Sequence, residues 1–104
     1  MITITKTFKR VDSTIPWFQR SAEQLALIEQ WVPVKFSQIT TNPDEFTLVV
    51  VRTYPDSETT GQWFEQAMVI ETERQRKIYE DAHGITWTKT VIDDVAVTTV
   101  TTTS

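Results

Sequence analysis

Nineteen threonines, eleven valines and nine isoleucines stand against three leucines, and this excess of β-branched side chains constrains the fold more than any other feature of the chain. A branched Cβ restricts χ1 in a helix and packs well on a pleated surface. Much of the chain is therefore expected to be sheet, and alternation shows where. From Met1 to Lys9, Ile2, Ile4 and Phe8 share one face while Thr3, Thr5 and Thr7 share the other, the two-residue period of a strand. Val34 to Thr41 alternates in the same way, with Val34, Phe36 and Gln38 opposite Lys35, Ser37 and Ile39. In Phe46 to Tyr54 the run Leu48-Val49-Val50-Val51 is apolar on both faces, which suits a strand covered on both sides. Ile85 to Ile92 sets Ile85, Trp87 and Val91 against Thr86, Thr88 and Thr90, and Val95 to Thr103 is a further alternating segment, rich in threonine.

Between the strands the pattern changes. Arg10 to Arg20 reads as a loop or short helical turn, with Trp17 and Phe18 adjacent after Pro16. Ser21 and Gln24 have capping-box spacing, and Leu25, Ile28 and Val32 then share a helical face with Leu27 and Trp31 beside it, until Pro33 ends the helix. Asn42-Pro43-Asp44-Glu45 and Pro55-Asp56-Ser57 carry turn chemistry. Glu58 to Ala82 is helical by content, closed by Gly84. At about 1.5 Å per residue such a helix outruns its strands, so it is expected to kink or overhang. Asp93-Asp94 turns the chain after the strand that follows.

The order is strand, helix, strand, strand, helix, strand, with one strand added at the C-terminus. This predicts a single α+β domain over residues 1–104, a ferredoxin-like βαββαβ sandwich with both helices on one face of an antiparallel sheet. The two-sided strand then needs a second cover, and an identical chain is the simplest source. A homodimer through the face carrying Val49 and Val51 is the expectation. In element order, length and the strand Leu48-Val49-Val50-Val51, the chain resembles the dimeric α+β barrel superfamily, the ferredoxin-like group that includes antibiotic-biosynthesis monooxygenases and stress-responsive barrel proteins. The resemblance implies a dimeric barrel, with Val95–Thr103 like the C-terminal strand that some members lay against the partner's sheet. No family motif is matched, so no catalytic residue is carried over.

Composition removes several functions. With no cysteine, thiolate chemistry, disulfides and cysteine-ligated metals are absent, and His83 is the only histidine; a transition-metal site usually recruits several such ligands. No metal and no cofactor are expected. Gly61 and Gly84 are the only glycines, too few for a phosphate-cradling loop. A net charge of −4 offers no basic field for nucleic acid or anionic membrane. The N-terminal stretch lacks the continuous apolar core of a signal peptide, no segment reaches transmembrane length, and the chain reads as cytoplasmic.

Candidate binding residues come from the aromatics and the second helix. Trp17, Phe36, Trp63, Phe64 and Trp87 are expected to converge between helices and sheet, where a pocket holds an apolar ligand; the alternative is a plain aromatic core. On a helical wheel Phe64, Ala67, Met68, Ile78 and Ala82 form a stripe flanked by Trp63 and Tyr79, with Glu71 and Gln75 in its middle. If Glu71 faces the cavity, desolvation raises its pKa, with Gln75 and Tyr79 as hydrogen-bonding neighbours; if not, it is solvated. Seven charges from Glu71 to Asp81 at four-residue spacings read as a solvated face. His83, beside Gly84, reads as a helix-end residue, with proton transfer as the alternative. Two functions follow: a small homodimer binding a hydrophobic or aromatic molecule, as a carrier or as a cofactor-independent enzyme of monooxygenase-like or isomerase-like kind, or a structural subunit, for instance of a phage particle, acting through strand edges and sheet faces.

Overall fold

The computed structural model describes residues 1–93 and 98–103; the Asp93-Asp94 turn and the start of the last segment lie partly outside them. Five strands form, β1 (Ile2–Lys9), β2 (Ser37–Asp44), β3 (Thr47–Tyr54), β4 (Thr86–Asp93) and β5 (Thr98–Thr103), with three helices, α1 (Ala22–Trp31), α2 (Ser57–Glu65) and α3 (Ala67–His83). The strands lie in the order β2-β3-β1-β4-β5, each antiparallel to its neighbour. This is an α+β domain whose four-strand antiparallel sheet, extended by β5, is compatible with a ferredoxin-like fold. The last strand pairs with β4 of its own chain.

Register sorts the strands' side chains into two faces, because residues opposite one another project the same way. Ile2, Ile4, Lys6 and Phe8 align with Tyr54, Arg52, Val50 and Leu48 on one side and with Asp93, Val91, Lys89 and Trp87 on the other. That face meets the helices. Its core is Ile2, Ile4, Phe36, Tyr54, Trp63 and Val69, with Leu27, Ile28, Trp31, Phe64 and Val91 packed around it. The opposite face carries Thr3, Thr5 and Thr7 between Val49, Val51 and Thr53 on β3 and Thr88, Thr90 and Ile92 on β4. No described element covers it, so the two-sided apolar run of β3 sets Leu48 and Val50 toward helices and loop and Val49 and Val51 on the open face, all four half-buried.

Local chemistry fixes the element ends. Both halves of the capping box form at α1: Ser21 Oγ accepts from the Gln24 amide at 3.2 Å and the Gln24 side chain accepts from the Ser21 amide at 2.8 Å. Of the wide apolar arc expected on this helix, Leu25 is exposed. The amides of Lys35 and Phe36 donate back to the Trp31 carbonyl, which wraps residues 32–36 around the helix end and delays β2 from Val34 to Ser37. Asn42 and Pro43 fall inside β2, where the register skips between Thr41 and Asp44, and the turn closes later with the Asp44 carboxylate accepting from the Phe46 amide at 2.8 Å.

The long second helix breaks. Gln66, in an extended conformation at φ −68° and ψ 132°, ends α2 and starts α3, so a wheel drawn through both helices loses phase at that residue. Phe64 therefore leaves the expected stripe, and its remaining members, Ala67, Met68, Ile78 and Ala82, lie together on α3 but are exposed. α3 buries Val69, Thr72, Arg76 and Glu80 instead, and exposes Met68, Ile70 and Ile78. Its charges are not all solvated either, since Arg76 and Glu80 are 5% and 3% exposed. Gly84 closes the helix at φ 68°, a conformation glycine adopts without steric cost.

Candidate functional site

Three adjacent strands each place a cation on the face toward the helices. Lys6 on β1 lies opposite Lys89 on β4, and Arg52 on β3 lies opposite Ile4, one step along. From above, α3 lowers Glu73, Arg76 and Glu80, and the loop before α1 brings in Arg20. The result is a charged layer inside an otherwise apolar interface. Lys6 Nζ donates to Glu73 Oε2 at 3.3 Å, and Arg76 binds both Glu73 and Glu80, the latter at 2.9 Å. The Arg76 guanidinium also lies over the rings of Phe8 at 5.0 Å and Trp87 at 5.6 Å. Arg52 donates to Gln38 at 2.7 Å and lies over Phe36 and Trp63.

Burial and neighbours together set the protonation of this layer. Burial pushes Lys6 down to about 8 against the opposing pull of Glu73. Burial acts upward on Glu73, but Lys6 and Arg76 beside it hold its carboxyl at about 2. Glu80 is raised by burial, which outweighs its pairing with Arg76. Arg20 is lowered, first by burial and then by repulsion from Arg52. Among the described residues it makes neither a hydrogen bond nor a direct ion pair.

Three small cavities meet at Arg20, which lines all of them. One opens beneath α1, toward Gln24, Leu27, Trp63 and Thr72. The second lies over the sheet between Ile4, Lys6, Arg52, Phe64 and Arg76. The third sits under the loop before α1, walled by Phe8, Trp17, Phe18 and Leu48 with Arg76 and Glu80 at its base. Counted to their open mouths they measure about 280, 380 and 330 Å³; the inner part of each has room for about one to three waters. Two buried N–H groups on the lining have no acceptor, Nε of Arg76 and Nε1 of Trp63. Among the described residues no group of three or more His, Asp or Glu side chains could hold a metal, and no helix is long and apolar enough to cross a membrane.

The nine residues singled out in the sequence divide into four groups. Trp17, Trp63 and Phe64 line the cavities, and Trp87 faces the same layer under Arg76 and Lys6. Phe36 is core, packed on Tyr54 and Trp63 at ring distances of 4.6 and 5.0 Å. Glu71 and Gln75 lie on the outer side of α3, in a shallow groove against α1, so Glu71 does not face the interlayer. Its pKa is lowered, not raised, because Arg74 and Gln75 hydrogen-bond its carboxylate in solvent. Tyr79 pins the loop before α1 by donating to the Pro16 carbonyl and packing on Phe18. His83 stacks on Tyr79 at 4.1 Å, with Nδ1 2.8 Å from the Tyr79 carbonyl in the last turn of α3.

Sequence reasoning missed Lys6, Arg20, Arg52, Glu73, Arg76 and Glu80. A signal existed for the strand residues. Lys6 interrupts Ile2-Ile4-Phe8, Arg52 interrupts Leu48-Val50-Tyr54, and Lys89 interrupts Trp87-Val91, each at a position whose alternation demands an apolar side chain. No family model matches the sequence, and neither the curated proteins nor the solved structures contain a match.

Proposed function

We propose that the chain is a small-molecule binding protein that receives an aromatic or apolar group between its helices and its sheet, and that it works as a ferredoxin-like homodimer of the barrel kind. The observation that carries the binding reading is the aromatic-walled cavity of Phe8, Trp17 and Phe18 under a loop that is held by one side chain of α3, Tyr79. Besides Tyr79, Arg10 holds this loop by donating to the Ile15 carbonyl at 2.7 Å and lying over Trp17; side-chain contacts of this kind can release to admit a guest and re-form over it. Titration with an uncharged naphthalene derivative should quench tryptophan fluorescence saturably at one molecule per chain. Trp17→Ala should weaken that binding several-fold, and linear, unsaturable quenching would leave only an aromatic core.

The homodimer is supported by the uncovered face, where Val49, Val51, Ile39 and Ile92 stand among threonines. Two such faces would give each sheet its missing layer. Light scattering should then give twice 12.0 kDa, and Val51→Lys should yield monomers because a second copy would bury an unpaired charge. The same face and the free edge of β2 also favour a second reading, a subunit of a larger assembly. Native mass spectrometry separates the two, since the first reading expects a dimer with a ligand that leaves on organic extraction and the second expects larger ordered species.

A further inference from the structure

The geometry points to an organic anion as the guest of the interlayer site: its oxyanion is held at Arg20, between Arg52 and Arg76, and its apolar body lies against Phe8, Trp17 and Phe18. This inference rests on the ligand-binding reading above and adds the chemical class. Charge carries it first. Lys6, Arg20, Arg52 and Arg76 line three cavities that share Arg20, with only Glu73 and Glu80 against them, an excess of two positive charges inside a chain whose net charge is −4. Like charges gathered away from water are costly unless a counter-charge joins them.

The hydrogen-bond inventory points the same way. Glu73 is engaged by Lys6 and Arg76, and Glu80 by Arg76; both attract Arg20 through space, but among the described residues neither is hydrogen-bonded to it. Three buried groups on the lining lack partners, Arg76 Nε, Trp63 Nε1 and the Tyr54 hydroxyl; the first two can only donate and the third can donate as well. A site short of acceptors and rich in guanidinium forks suits a carboxylate or a phosphate, which accepts two parallel N–H bonds from each fork. Size agrees. The enclosed spaces admit a group as small as an oxyanion, while the aromatic walls lie at the more open side under the loop.

Isothermal titration of the full chain with 2-naphthoate, 2-naphthyl phosphate and the neutral 2-naphthalenemethanol tests the class and tells the two oxyanions apart. At least one anion should bind one per chain and at least tenfold more tightly than the alcohol. Arg20→Gln should lose most of that preference and raise the thermal midpoint of the ligand-free protein, because it removes a like charge from the layer. Arg74→Gln, on the solvent side of α3, should leave anion affinity unchanged. If Arg20→Gln fails to fold, Arg52→Gln should show the same loss. Equal affinity for the alcohol and both anions, or an undiminished preference in the Arg variant that folds, overturns the anion and leaves a ligand site. Saturable binding of none of the three overturns the ligand site as well.

Discussion

Lys6 and Glu73 are neighbours at 3.3 Å, and the fold lowers both titrations, so that stability rises with pH through two separate windows. Folded Lys6 titrates near 8 against an ordinary 10.5, so between those values the unfolded chain holds the extra proton and stability rises with pH. Denaturant midpoints at pH 7 and pH 10 should show a gain on the order of 2 kcal/mol, absent in Lys6→Met. Glu73 titrates near 2 against 4.5; the unfolded chain takes up protons first, and stability is lost as pH falls through that window. Its carboxylate is 34% exposed, and solvent screening reduces the loss to about 1 kcal/mol, which Glu73→Gln should abolish. The pair Arg76–Glu80, 6% and 4% exposed at the side chains, is more sensitive. Glu80→Ala leaves Arg76 buried with one partner fewer and should cost about 3 kcal/mol in chemical unfolding, whereas replacing both by apolar residues should cost much less.

At the scale of elements, the two glycines make opposite predictions. Gly61 lies inside α2 with open space where a methyl group would sit, no atom coming within 4 Å, so Gly61→Ala should stabilise by about 0.5–1 kcal/mol through helix propensity alone. Gly84 has equal space, but its φ of 68° strains any residue bearing a Cβ, and Gly84→Ala should destabilise by about 1 kcal/mol. Thermal midpoints of the two variants, shifted in opposite directions by several degrees, check both. Element chemistry was also the most legible part of the sequence. The Ser21/Gln24 box and the Gly84 stop follow from residues that interact within one turn, whereas the break at Gln66 has neither proline nor glycine to announce it.

For the molecule as a whole, a slab of 39 × 31 × 20 Å is two layers thick, with helices over one side of the sheet. A sheet open on one face and rich in threonine can stay solvated, since the hydroxyl of each threonine faces water while its methyl packs on neighbours. Val49 and Val51 on that face set the question of assembly, and the Val51→Lys comparison decides it: an unchanged molecular mass and stability would mean that water, and no second copy, covers the face.

Strand periodicity, caps and stops were determined by the sequence itself, because they depend on residues two to four positions apart, and the β-branched excess made the antiparallel sheet legible. Which side of α3 points inward was decided only in the tertiary structure. One extended residue, Gln66, turned the expected apolar stripe outward and carried Arg76 and Glu80 onto the sheet. The gathering of Lys6, Arg20, Arg52 and Glu73 around common cavities was likewise invisible along the chain, since strand register and loop placement bring together charges that lie far apart in sequence. Local patterns report the period of an element, while the site depends on the relative phase of several elements, and that phase is fixed only when they pack.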